Sequence, residues 1–288
     1  MINLYFEKRV ETLYMAVKDT REWLKEYLRI KGSSWVNNIE HQKQCISEKL
    51  VSYFPGSSSS VIHDHLLQHG LFLPNVQDES IINSLTNVNP WKIARVELMR
   101  LKKEWEGPDI PIFIFPSDSN NRQLKRDFNG LSGVSHHDKV FLFVSGTMSQ
   151  QELQALITHE YNHVCRLHYL DKKEKNMKLL DSIVLEGLAE MAVQERLGTE
   201  HLAKWATIRP IDSALNYWRK WLKPNMKLSK ADPRHNELLY GGGFVPKWLG
   251  YNAGYHLVSS FIKNKQTHIK ETLHLPAETI VEGSDFSF

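Results

Sequence analysis

The sequence predicts an α+β fold, mostly helical, with a small mixed sheet and one pair of helices that carries the chemistry. Three observations predict it. Through most of the chain apolar residues recur at helical spacing, as in Leu153, Leu156, Ile157, Val164 and Leu167. From Gly107 the period changes, and short apolar runs stand between prolines and glycines, as strands do. The sequence then holds His159-Glu160-Tyr161-Asn162-His163, followed by a second helical stretch with Leu185-Glu186-Gly187-Leu188-Ala189-Glu190.

In chain order, residues 4–30 read as one amphipathic helix, with Val10, Leu13, Val17, Trp23, Leu24, Tyr27 and Leu28 along one side. Gly32-Ser33-Ser34 ends it. A second helical segment runs from about Val36 to Tyr53, and Pro55-Gly56 with four serines breaks the chain. Residues 61–105 are helical in pieces, the last starting at Asn89-Pro90-Trp91. His63, His65 and His69 lie close together but lack a carboxylate at a matching interval, so they read as surface or core histidines. Ile110 to Pro116 suits a buried or edge strand. Gly130 to Ser135 is a weak strand, His136-His137-Asp138 a turn, and Val140 to Val144 a fully buried strand, making a hairpin that leads into the motif helix. Ser149 and Glu152 are spaced as a capping box at the start of that helix. After the charged linker 171–176, a second helix spans about Lys178 to Leu197, with Gly198 as its stop. A Trp-rich helical region (Trp205, Trp218, Trp221) and the run Gly241-Gly242-Gly243 precede a last helix from near Pro246 to Ile262. These readings divide the chain into an N-terminal helical region (1–106), an α/β core with the metal site (107–199) and a C-terminal helical subdomain (200–288).

At 288 residues and 41% hydrophobic the chain can bury a full core. Its net charge is +3 with both signs interspersed, which gives no electrostatic case for nucleic acid or an anionic membrane as partner. The first residues lack an apolar core of signal-peptide length, and no run approaches a membrane span. Cys45 and Cys165 are the only cysteines, so no disulfide framework or Cys-x-x-Cys zinc site is expected. A reducing, cytoplasmic setting is the expectation.

On a helix His159 and His163 project from one face a turn apart and can hold two corners of a tetrahedral zinc. Glu160 is angled to reach a water on the same ion. A third ligand is needed. A histidine six residues beyond His163 would supply it in one zinc motif, but that position is Tyr169 and the accompanying glycine position is Arg166. A glutamate on the following helix is the alternative. Glu186 and Glu190, four apart, share a face. Glu186 is assigned as ligand, with Glu190 accepting from the free N–H of His159; the reverse assignment stays open. This helix is apolar nearly all round, and buried carboxylates need a compensating positive charge such as a zinc ion. Glu160 is then the general base of a hydrolysis. The oxyanion needs a donor opposite the metal, for which Tyr251 and Tyr255, on one face beside Gly250 and Gly254, are candidates, with His256 and Tyr240 behind them. Gly133, Val134 and Ser135 on the outer strand could take an extended peptide by strand addition, or form a plain structural hairpin.

His159-Glu160-x-x-His163 with Glu186-Gly187-Leu188-Ala189-Glu190 resembles the gluzincin pattern of thermolysin-like peptidases. More closely, the sequence is similar to the predicted zinc-dependent peptidases of the YjaZ type from bacilli. Trp105-Glu106-Gly107-Pro108-Asp109-Ile110-Pro111, Ile114-Phe115-Pro116, Gly133-Val134-Ser135, the two motif helices and Pro246-Lys247-Trp248-Leu249-Gly250-Tyr251 carry the similarity, over about residues 90 to 262. The resemblance implies a zincin-like fold with an active-site helix pair, one Zn2+ ion and a peptide or protein substrate. The family's tyrosine in a Gly-Tyr pair falls on Tyr251. A competing reading is a protein that keeps the zinc for structure or sensing and acts by binding a partner. The intact Glu160 argues against it, because a purely structural site has no use for a general base. A metal-free helical scaffold leaves the buried acidic pair unexplained.

Overall fold

The computed structural model describes residues 16–287. The first finding corrects the long helix expected over 4–30. Residues 4–15 lie outside the described residues, and beyond them helix α1 (Arg21–Ile30) begins only at Arg21. Val17 is instead paired in parallel with Ile112, and Lys18 N donates to the Ile112 carbonyl at 2.9 Å. The cause is tertiary. Val17 and Thr20 are fully buried; the Thr20 hydroxyl donates to the Ile114 carbonyl and accepts from Trp91 Nε1 at 3.0 Å. These contacts outweigh the helical pattern that Val17 also fits.

Helix α2 (Trp35–Gln42) starts on the Ser34 cap and continues through a π turn, Lys43–Ser47, to residue 53, where Pro55 and Gly56 stop it. Three helices follow: α3 (Ser59–Gln68), α4 (Asp78–Val88) and α5 (Pro90–Trp105), the last opening at the proline as its fixed φ favours. Strand β1 (Ile112–Pro116) is buried at every residue. Helix α6 (Arg122–Phe128) has no counterpart in the sequence reading; Asn121 caps it, its side chain accepting from Leu124 N at 2.9 Å. Strands β2 (Ser132–His136) and β3 (Lys139–Val144) form the expected hairpin. The sheet is mixed, in the order β1-β3-β2, with β1 parallel to β3 in the register Ile112↔Val140 to Pro116↔Val144. The buried Phe113 and Phe141 rings stack at 5.0 Å, and Trp23 of α1 lies 6.0 Å from Phe113. Strand β2 is half-buried along its length, as an edge strand is.

Helix α7 (Gln150–Tyr169) carries the motif. Ser149 Oγ accepts from Glu152 N at 3.1 Å and the Glu152 carboxylate accepts from Ser149 N at 2.8 Å, the reciprocal cap expected from the spacing. Helix α8 (Leu179–Leu197) carries the acidic pair and ends at Gly198, whose φ of 97° a side chain would strain. After it come α9 (Ile211–Tyr217), α10 (Pro233–Tyr240), α11 (Leu249–Lys265) and two short C-terminal helices, α12 (Ile269–Thr272) and α13 (Ala277–Gly283). Helices α8 and α11 pack extensively against each other. Two glycines permit it. A Cβ on Gly187 would stand 2.2 Å from the Gly254 carbonyl oxygen, and one on Gly254 would stand 2.2 Å from that of Ile183.

The chain resolves into two compact units. One is drawn from residues up to Met99, Asp109–Val134 and Val140–Leu156; the other from Arg100–Pro108, Ser135–Lys139 and residues from Ile157 on. Cys45 and Cys165 are buried and free, and no described helix is long and apolar enough to cross a membrane.

Candidate metal centre

The second unit contains the motif half of α7, together with α8 and α11. One turn of α7 separates His159 from His163, and their rings meet edge to face at 4.6 Å. Glu186 reaches them from α8. Its Oε2 lies 3.3 Å from His159 Nε2 and 3.5 Å from His163 Nε2. One ligand atom from each of the three residues falls within 4.8 Å of the others, the one such His/Cys/Asp/Glu group among the described residues. Glu186 Oε2 is buried and, despite its neighbours, makes no well-aligned hydrogen bond among the described residues. Two imidazole nitrogens and a carboxylate oxygen this close together could hold a metal ion, and the donor types suit zinc.

The remaining atoms are held from outside. Glu190 Oε2 lies 3.2 Å from His159 Nδ1, and its other oxygen accepts from the Ala203 backbone N–H. His163 has no equivalent support: its Nδ1 is buried without a hydrogen-bond partner among the described residues. Glu160 is 7% exposed, and Ser135 Oγ donates towards its carboxylate and lies 2.9 Å from its backbone carbonyl. Three nearly buried carboxylates thus face two imidazoles. The surplus negative charge suits a dication, because buried carboxylates are costly unless paired.

The electrostatics point the same way. Burial alone would push His159 towards its neutral form, but Glu186, Glu190 and Glu160 overcome it and hold its pKa well above the usual value. Burial alone would raise Glu186; His163 and His159 instead bring its carboxyl far below the usual range. The Tyr251 hydroxyl is pushed well above 10, by burial first and then by Glu186 and Tyr240 beside it.

Behind the motif, Tyr161 stacks on Trp105 at 6.2 Å and donates to the Pro108 carbonyl at 2.9 Å. A Cβ on Gly107 would stand 2.6 Å from that hydroxyl and 2.3 Å from Cys165 Sγ, so glycine is what lets the 105–108 segment lie against α7. On the other side stands an aromatic wall. Tyr251 packs against Trp205 at 4.9 Å, Trp248 at 5.2 Å and Tyr240 at 5.3 Å, and Trp205 lies 6.3 Å from His159. Asn252 fixes the Trp205 segment, donating to the Ala206 carbonyl at 2.8 Å.

Of the residues singled out by sequence, the structure brings together His159, Glu160, His163, Glu186, Glu190, Tyr251, Tyr240 and Ser135. Tyr255 is turned to Gln194 Oε1 at 2.8 Å and His256 to the Arg209 carbonyl at 2.8 Å, so neither joins the cluster. Gly133 and Val134 belong to the first unit; Ser135, in the second, spends its hydroxyl on Glu160. His63 is a core histidine, its Nε2 2.9 Å from Gln42 Oε1. Sequence reasoning missed Trp205 and Trp248 as site residues. Their signal was weak: Trp248 lies within three residues of Tyr251, but nothing local ties Trp205 to it.

Residues 90–282, two-thirds of the chain and the whole cluster, match the family described as "Predicted Zn-dependent protease (DUF2268)". The chain belongs to this family. A relative, the uncharacterized protein YjaZ of Bacillus subtilis (strain 168), is 33% identical over 272 residues, covering 93% of this chain and 99% of its own. The uncharacterized protein YjfC of the same organism is 27% identical over 183 residues, 60% of each chain. No solved structure matches the chain. The family's description agrees with a cluster that could hold a zinc ion, and the α+β, mostly helical architecture is that of this member.

Proposed function

We propose that the chain is a peptidase of gluzincin type, with a zincin-like core in which His159, His163 and Glu186 hold one zinc ion. The observation that supports it most is the convergence of two imidazole nitrogens and a carboxylate oxygen within 4.8 Å, with Glu160 next along the same helix. Three donors leave a fourth position free, as a hydrolytic centre requires and a structural one does not. A zinc bound there supplies a Lewis acid that polarises a carbonyl and lowers the pKa of a water to about 7.

The protein's own groups do the rest. Glu160 takes the proton of the attacking water and returns it to the leaving amine nitrogen, so one carboxylate serves first as base and then as acid. The Ser135 hydroxyl holds that carboxylate in place. Glu190, anchored by the Ala203 N–H, accepts from His159 Nδ1, which leaves the Nε2 lone pair on the Glu186 side. Tyr251 keeps its proton at any working pH and donates it as a hydrogen bond to the carbonyl oxygen as negative charge builds there. The edge strand at Gly133, Val134 and Ser135 offers backbone groups to an extended peptide. Because Ser135 Oγ is engaged with Glu160, only its main chain is free for that role.

The test is a peptide-library digest with the zinc-loaded protein, with and without chelator. Cleavage that the chelator abolishes and added zinc restores is expected. A library left intact by protein of full zinc occupancy overturns the proposal.

A further inference from the structure

Tyr251 also supports a loop to which the chemistry above gives no task. Tyr240 and Trp248 are its two feet. Trp248 N donates to the Tyr240 carbonyl at 2.7 Å, and both rings pack on Tyr251, at 5.3 and 5.2 Å. Between the feet run Gly241-Gly242-Gly243-Phe244-Val245-Pro246-Lys247. Gly242 and Val245 close a tight turn through backbone hydrogen bonds of 3.1 and 2.8 Å. Gly241 takes φ 90° and lies so close to the returning chain that a Cβ would stand 2.5 Å from Lys247 Cα; Gly243 takes φ 54°. This is an ordered turn that glycine makes possible.

At its tip Phe244 is 97% exposed, the most exposed large apolar side chain among the described residues. It packs on none of the described residues, and the turn needs no aromatic group there. A fully solvated phenylalanine gains free energy only when something else covers it. Single exposed apolar residues are ordinary on protein surfaces. What distinguishes this one is its mounting: both feet of its loop rest on the tyrosine beside Glu186, and one of them, Tyr240, is itself 43% exposed.

We propose that Phe244 is a specificity-determining residue that closes over a bound peptide and packs on an apolar side chain, aromatic or branched aliphatic, flanking the bond to be cut. The inference rests on the peptidase reading and adds the class of substrate to it. Phe244 touches no reacting atom. Its contribution appears in peptide affinity and in discrimination between side chains, not in the rate of the chemical step.

Two measurements on zinc-loaded protein test it with Phe244→Ala and Phe244→Leu. The first is fluorescence anisotropy in the Glu160→Gln background, which leaves the peptide uncut, using a short fluorescein-labelled peptide with one central phenylalanine and the same peptide with alanine there. The second is cleavage of the two peptides by variants that retain Glu160. Zinc content and Tm of Phe244→Ala should equal those of the wild type, because the side chain is solvated. Phe244→Ala should bind the phenylalanine peptide about tenfold more weakly, the scale of one partly buried aromatic contact, with KM raised and kcat little changed. Its preference over the alanine peptide should fall, and Phe244→Leu should recover most of both. If the wild type prefers and cuts the phenylalanine peptide and Phe244→Ala does so equally well, this inference fails and the peptidase reading stands. If preference is lost in Phe244→Ala while no peptide is ever cut, the peptidase reading fails and with it the placing of Phe244 beside a scissile bond, and only the apolar contact with a bound peptide stands. A wild type that neither binds nor cuts either peptide overturns both.

Discussion

At position 160 the reaction asks for a group that can hold a proton and give it back. Glutamine matches glutamate in shape, and its amide oxygen can still accept from Ser135 Oγ, but it cannot take the proton. Glu160→Gln is therefore expected to keep its zinc and its Tm while losing at least about two orders of magnitude in kcat, the usual weight of a general base. The check is kcat on a peptide from the library digest, with zinc content by elemental analysis; a fully loaded variant that hydrolyses like the wild type removes Glu160 from the mechanism. His159, Glu160 and His163 can be read from sequence because a helix fixes i and i+4 on one face wherever it lies. The same periodicity puts Tyr251 and Tyr255 on a common face and cannot choose between them. Packing chooses: Tyr255 is claimed by Gln194, and Tyr251 comes to Glu186. Ser135 shows the opposite limit. The sequence offers its backbone to a substrate, but its hydroxyl meets Glu160, 25 residues on, through a strand-to-helix contact that no spacing encodes.

Between elements, the α8–α11 contact decides whether Tyr251 stands beside Glu186. Gly187 is the point of closest approach. A methyl there would meet the Gly254 carbonyl at 2.2 Å and Val258 Cγ2 at 2.8 Å, and backbone cannot rotate aside as a side chain can. Alanine favours a helix over glycine by about 1 kcal/mol, whereas overpacking at such a contact costs about 1–3 kcal/mol. The clash wins, so Gly187→Ala should lower Tm and, by moving α11, lose more activity than the stability loss explains. Gly32, whose added Cβ would meet nothing within 4 Å, supplies the control: Gly32→Ala should leave both unchanged. Equal Tm for Gly187→Ala and wild type in a thermal melt would mean that the helices are not held at this distance. Both helices were legible from apolar period and caps, but their separation was not, since it depends on which residues face each other. Val17 fails for the same reason. Its apolar period suits a helix, yet its backbone pairs with Ile112 and the nearby Thr20 hydroxyl bonds to the Ile114 carbonyl, partners more than ninety residues away that keep the chain before Arg21 out of the helix. α6 was missed because its seven residues, RQLKRDF, are too few and too polar to show a period.

For the molecule as a whole the question is what the ion contributes to stability. Were Glu186 a lone buried charge without it, chelation would cost several kcal/mol and endanger the fold. The cluster avoids this. In the absence of an ion, His159 is held protonated by Glu186 and Glu190, and Glu186 stays ionised against the two imidazoles, so the acids keep partners. Loss of zinc should therefore loosen the fold rather than abolish it. At free zinc a hundredfold above Kd, linkage gives on the order of 2.7 kcal/mol, or several degrees in Tm. The gain should also be local. Amide hydrogen exchange should slow on zinc addition in the motif half of α7 and in the Ile183–Val193 part of α8, while β1, whose five residues lie in the other unit, changes less through any opening short of global unfolding. Calorimetry and exchange with and without chelator read both quantities. A Tm that ignores verified zinc removal, or a slowing spread evenly over β1 and α8, would place the ion somewhere other than between His159, His163 and Glu186.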